Sequence, residues 1–302
     1  MRIIIIGIFL AVLTACGSGK QPGGDEGAIL DQDTTNQQTE GPAIDKAVIG
    51  DILQRIPAPL EIAVLLKESG KKYNSGYLNS PDNLPKYNSN FQKALNLGIY
   101  GADLGYTNIY EQNQDGVKYM GAIKDLADGL SIGQFFDIET VGRLATNSKN
   151  LDSLLLITTQ NFNSINQYLQ SVNRANLSVL LLTGGWIEAV HILCEVGNAS
   201  PGNQELRETI GEQKIILENI ILMLSFYKDT DRNMASLLTD MESLKKLYEK
   251  VNIINTYKES TFEIVDGVMV IKDNSTSTID IKPENVDDIR NITNSIRTKI
   301  IS

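Results

Sequence analysis

Glu188 and His191 form an E-x-x-H pair, and on a helix that spacing puts both side chains on one face. A carboxylate and an imidazole so placed could ligate a metal or pass a proton, and carboxylate-bridged di-iron bundles use this pair. Such bundles need a second E-x-x-H, yet His191 is the single histidine of the 302-residue chain. A zinc site would have to replace the usual His or Cys ligands with carboxylates. The simpler reading is a helix-borne histidine held by a local hydrogen bond, so no metal ligand and no cofactor is assigned. Cys194 follows His191 by three residues. Side chains at that spacing seldom align for the in-plane hydrogen bond that activates a thiolate, and Cys194 reads as a buried structural thiol.

A second place for chemistry is Gly98 to Tyr106, where three glycines alternate with Tyr100, Asp103 and Tyr106. Glycines there could kink a helix and free backbone groups beside aromatic rings, or could simply allow a tight helix crossing. Trp186, the sole tryptophan, reads as a core anchor that could also line a pocket with Glu188. Tyr100, Asp103, Tyr106, Trp186 and Glu188 are therefore the candidate binding residues. No catalytic residue is assigned: the chain has no G-x-S-x-G elbow, no phosphate loop and no dinucleotide fingerprint after a strand.

The elements that must position these residues are mainly helical. Leu151, Leu155, Thr158, Phe162, Ile165, Leu169 and Val172 alternate spacings of four and three, as do Met234, Leu237, Met241, Leu244, Tyr248 and Val251. Ile210, Ile216, Ile220, Met223, Leu224 and Tyr227 mark a third face. These narrow seams predict an antiparallel multi-helix bundle. Asn176 to Val196 is apolar nearly all round but contains Glu188, His191 and Glu195, so it predicts a covered central helix rather than a membrane span. Thr183-Gly184-Gly185 would let a neighbour approach it closely. Further helices are expected from Pro57 and Pro59 into Leu60–Leu66, over 91–110 with interruption at Gly98, Gly101 and Gly105, and over 117–130 and 135–145.

After Val251 the period switches to strands. Residues 260–272 predict a β-hairpin turning at Asp266-Gly267, within a β region at 256–281, and Thr276 to Ile281 could add a third strand. Pro283 opens a terminal helix over 283–301 with Val286, Ile289, Ile292 (or Thr293) and Ile296 on one face.

Leu13-Thr14-Ala15-Cys16 resembles the lipobox of bacterial lipoproteins, where a peptidase cuts before the cysteine and the new terminus is acylated. Arg2 and the apolar run Ile3 to Leu13 complete an export signal too short to span a bilayer. The expected organisation is a signal over 1–15, a lipid-bearing Cys16 with a polar spacer to residue 43, and one helical domain over 44–302. The Gly- and Gln-rich spacer cannot bury enough surface to fold, and its mean reach is about 30 Å. Gly17, rather than Asp, after the cysteine leans towards the outer membrane, with the face of that membrane left open.

The net charge of −10, with 37 acidic against 27 basic residues, argues against nucleic acid and against a body lying on anionic lipid. With Cys16 acylated, Cys194 has no partner and stability must come from packing.

Ile56-Pro57-Ala58-Pro59-Leu60-Glu61-Ile62, the run Ala94 to Tyr106, Gly184-Gly185-Trp186-Ile187-Glu188 and the terminal helix together resemble a group of bacterial lipoproteins. That resemblance implies a helical envelope protein and no activity. The sequence thus favours a non-catalytic binding or scaffolding module anchored through its lipid, with a protein or small-molecule ligand unidentified. The alternatives are a metal-dependent or carboxylate-based enzyme, or a small-molecule carrier, using Trp186, Glu188 and His191.

Overall fold

Short polar caps start several helices of this chain, and one apolar helix lies at the centre of their packing. A computed structural model describes residues 62, 65–67, 69–136, 151–265, 268–272 and 274–302. The expected signal, Cys16, the spacer, the Pro57/Pro59 helix start, most of the helix expected over 135–145 and the Asp266-Gly267 turn lie outside them. Phe135 and Phe136 end a 3-10 turn, Gly133–Phe136.

Helix α1 spans Asn90–Ile109. Ser89 and Gln92 start it with a reciprocal capping box, Gln92 N donating to Ser89 Oγ and Ser89 N to Gln92 Oε1, both at 3.2 Å. The helix runs unbroken through Gly98, Gly101 and Gly105, where interruption was expected. Glycine lowers helix propensity by only about 1 kcal/mol, and the packing of α1 on its neighbours overrides that. Helices α2 (Asn113–Gly129), α3 (Leu151–Ser171), α4 (Ala175–Asn198), α5 (Gln204–Ser225) and α6 (Arg232–Tyr248) follow. Asn203 caps α5 through Leu206 N, and Asp231 caps α6 through Asn233 N and Met234 N.

Helix α4 is the hub. It packs against α1, α3 and α5, and its apolar stretch is 89 % buried. By length and composition it could cross a membrane, but Glu188 sits fully buried within it. The seam expected on α6 is entirely buried, Met234 through Val251. On α3 the buried face is rotated from the expected one: Ile165 and Leu169 face inward, while Thr158 is exposed and Ile157 takes an inner place.

Strand β1 (Asn252–Thr256) pairs antiparallel with β4 (Thr276–Asp280), and β2 (Thr261–Val265) with β3 (Val268–Lys272). The hairpin is where it was expected. The strand near 276–281 does not extend that hairpin; it pairs with β1, which the sequence pattern does not announce because only Ile253 and Ile279 meet the body. The terminal helix α7, Pro283–Ile301, then packs on α4 and α6. The molecule is thus mainly α, a helical bundle with a small antiparallel β element and a C-terminal helix.

Candidate functional site

The residues nominated for chemistry meet at the crossings of α4 with α1 and α7. Leu95 and Gly98 of α1 lie against Gly184, Gly185 and Leu181 of α4. A Cβ on Gly98 would stand 2.0 Å from the Leu181 carbonyl oxygen, and one on Gly184 2.0 Å from that of Leu95. The two backbones therefore touch, which only glycine allows at these positions. Gly101 and Gly105 have open space instead.

Farther along α4, Glu188, His191 and Glu195 face Arg297, Asn294 and Arg290 of α7, the two helices running antiparallel. Arg297 Nε donates to Glu188 Oε2 at 2.5 Å and Nη2 to Oε1 at 2.6 Å, a two-pronged contact. His191 Nδ1 lies 2.5 Å from Asn294 Oδ1, and Asn294 Nδ2 donates to Glu195 Oε1 at 2.8 Å. Arg290 Nη1 stands 3.6 Å from the other oxygen of Glu195. The E-x-x-H pair is thus the first half of a three-rung polar seam.

The segment before α1 straps this seam. The Tyr77 carbonyl oxygen accepts from Arg297 Nη2 at 3.1 Å and lies 2.9 Å from His191 Nε2. Asn79 N donates to Asp103 Oδ2 at 3.2 Å, and its side chain donates to Tyr87 Oη and to Asn96 Oδ1. Tyr100 Oη donates to the Ser80 carbonyl, while Tyr106 Oη accepts from Asn74 N. Two of the candidate tyrosines therefore pin the strap to α1.

Asp103 and Glu188 are both fully buried, with the Arg297 guanidinium beside them. Burial pushes the Asp103 carboxyl well above the usual carboxylate range. The charge of Glu188 and a hydrogen bond to it push the same way, and Arg297 opposes them only in part. These causes favour the protonated form of Asp103, in which its carboxyl can donate to Glu188. That donation would occupy Asp103 Oδ1, which has no other partner. Burial works against the Arg297 charge, but its hydrogen bonds to Glu188 more than offset this. Tyr106 is pushed up to about 12 by burial, and Tyr100 is raised from its ordinary value for the same reason.

Trp186 points away from the seam. Its Nε1 donates to Gln213 Oε1 of α5 at 3.1 Å, and the ring is buried. Tyr100, Asp103 and Glu188 thus come together around the strap, Tyr106 joins them through Asn74, and Trp186 lies apart on the α5 side. All five are packed into the interior. Cys194 is fully buried, and burial holds its thiol well above the usual range, which keeps it from reacting. A cleft of about 290 Å³ lies elsewhere, between the start of α1, α6 and the end of α7, with Leu95, Leu237, Asp240 and Lys299 among its walls.

Sequence reasoning missed Arg290, Asn294 and Arg297 because the apolar face of the last helix drew attention to Val286, Ile289 and Ile296. The missed signal is a matching step: 297, 294 and 290 descend by the intervals with which 188, 191 and 195 ascend. Among the described residues, no group of three or more His, Cys, Asp or Glu is placed to hold a metal ion. The arrangement can bear a buried charge, hold a proton on Asp103 and fasten α7 and the strap to α4. No protein-family model, curated protein or solved structure matches the chain.

Proposed function

We propose that the chain is a lipid-anchored protein of the bacterial cell envelope whose helical body works as a non-catalytic binding or scaffolding module. One observation carries the second half of this reading. The side chains spaced for chemistry are each engaged by another group of the protein: Glu188 by Arg297, His191 by Asn294 and Tyr77, Trp186 by Gln213, Asp103 by Asn79. A catalytic acid or base needs a lone pair or proton turned towards substrate. Here those lone pairs and protons are spent on fastening helices. Such a body meets its partners with its outer surface.

The anchor rests on Leu13-Thr14-Ala15-Cys16, on the apolar run before it and on the polar spacer after it. Two or more acyl chains on Cys16 would hold the chain stably at a membrane, each buried CH₂ contributing about 0.8 kcal/mol. Gly17 and the resemblance to helical envelope lipoproteins support an outer-membrane address.

Fractionation of bacteria expressing the full chain or its Cys16→Ala variant tests the anchor. The wild type is expected in the membrane fraction and the variant outside it, with acyl mass on Cys16 alone. Identical fractionation of the two would refute the reading. Metal analysis of untagged protein tests the second half: substoichiometric metal is expected, and a full equivalent lost in His191→Ala would refute it.

A further inference from the structure

Both ring nitrogens of His191 lie against oxygens. Nε2 is 2.9 Å from the Tyr77 carbonyl, which can only accept, and Nδ1 is 2.5 Å from Asn294 Oδ1. The Asn294 amide is held in that sense because its Nδ2 donates to Glu195 Oε1 at 2.8 Å, and a carboxylate only accepts. A neutral imidazole has one N–H and one lone pair, so it satisfies one of these oxygens and turns a lone pair on the other. The doubly protonated ring satisfies both. The charges around it pair off among themselves: Glu188 with Arg297, and Glu195 with Arg290, behind which stands Asp287. Asp103 lies beyond Glu188, and Tyr77 offers the ring its carbonyl. Donor geometry is therefore what distinguishes the two forms of the ring.

The seam also offers Asn294 a second orientation. Arg290 Nε is buried and finds no partner among the described residues, although Arg290 stands one turn before Asn294 on α7 and beside the same Glu195. An amide turned over at Asn294 would present Nδ2 to His191 Nδ1 and Oδ1 to the Arg290 side, where the idle Nε–H can meet it. The turn needs rotation about one sp³–sp² side-chain bond, a soft torsion. Moving the Tyr77 carbonyl off Nε2 would instead also break its bond from Arg297 Nη2 at 3.1 Å. This end of the seam is the wetter one: side-chain exposure rises from 0 % at Glu188 and 11 % at Arg297 to 18 % at Glu195 and 24 % at Arg290.

We propose that His191, Asn294 and Glu195 form a pH-responsive relay within the fastening of α7 to α4. With both ring nitrogens protonated, Nδ1 donates to Asn294 Oδ1 and Asn294 Nδ2 donates to Glu195. As the pH rises, Nδ1 releases its proton to water and the Asn294 amide turns over. Nδ2 then donates to the emptied Nδ1, and Arg290 Nε donates to Oδ1. Nε2 keeps its hydrogen on the Tyr77 carbonyl throughout, so the strap stays in place. Glu195 loses its Asn294 donor and keeps Arg290 alone. The folded seam favours the proton-bound ring, so the contribution of this rung is present in acid and is lost as the pH rises. The relay uses only the seam and stands apart from both the lipid anchor and the binding role proposed above.

Nitrogen NMR of the isotope-labelled full chain in detergent tests it, and the single histidine makes the ring signals unambiguous. At pH 5 both ring nitrogens are expected to carry hydrogen. On titration to pH 9, Nδ1 should lose its hydrogen while Nε2 keeps its own. A nitrogen–nitrogen coupling across the new hydrogen bond from Asn294 Nδ2 to His191 Nδ1 should appear in step with that loss. Arg290→Lys keeps a cation beside Glu195 but has no N–H at the Nε position. The turned amide then lacks its donor, and the ring should hold its proton about tenfold more tightly. A ring with one bare nitrogen at pH 5, Nδ1 keeping its hydrogen in place of Nε2, or no coupling to Asn294 by pH 9 would overturn the proposal. So would an Arg290→Lys titration identical to that of the wild type.

Discussion

Asp103 is where burial, charge and hydrogen bonding meet on a single side chain. Its carboxyl is pushed well above the usual range because the folded state removes it from water and sets it beside Glu188. A raised folded value means that folding takes up a proton once the pH exceeds the unfolded value of about 4. The contribution of Asp103 is therefore fully present below that pH and is lost as the pH rises through its folded value. Asp103→Asn keeps an acceptor for Asn79 N and a donor for Glu188 but has no proton to lose. Urea unfolding of the two proteins from pH 5 to 8 should show the variant gaining on the wild type with rising pH, reaching about 1 kcal/mol or more at neutrality. Parallel stability curves would show that Asp103 is ionised in the fold.

At the scale of elements, the three glycines of α1 separate into two kinds. Gly98 has the backbone of α4 against it, whereas Gly101 faces open space. Gly98→Ala should destabilise by about 3 kcal/mol, since an added methyl has rigid backbone to displace. Gly101→Ala should stabilise by up to about 1 kcal/mol through helix propensity alone. Thermal or denaturant unfolding checks both signs. The sequence pattern treats these glycines alike, because spacing along one helix says nothing of what crosses it. The seams of α5 and α6, the central character of α4, the hairpin and the terminal helix were legible, since each is a local period that burial imposes. The polar seam was half legible: Glu188 and His191 stand in one short motif, but Arg297 lies about a hundred residues away on what reads as the solvent face of another helix. Strand β1 was not legible because only its base is covered, so alternation along it is weak.

For the molecule as a whole, α7 closes the structure: it touches α1, α4, α5 and α6, and its last carbonyls accept from Asn96 and Tyr87. Chain that is distant in sequence is thereby bound to the central helix, and the polar seam decides where it docks. A buried ion pair of this kind adds little against an apolar replacement, yet removing one partner strands the other charge in the core. The central claim is that the E-x-x-H face of α4 is a fastener, and a double-mutant cycle between Glu188 and Arg297 tests it most directly. In denaturant unfolding of the full chain, Glu188→Ala and Arg297→Ala should each cost about 3–5 kcal/mol. The double variant should cost less than their sum by about 2 kcal/mol or more. Single variants as stable as the wild type, with a coupling energy near zero, would contradict the account.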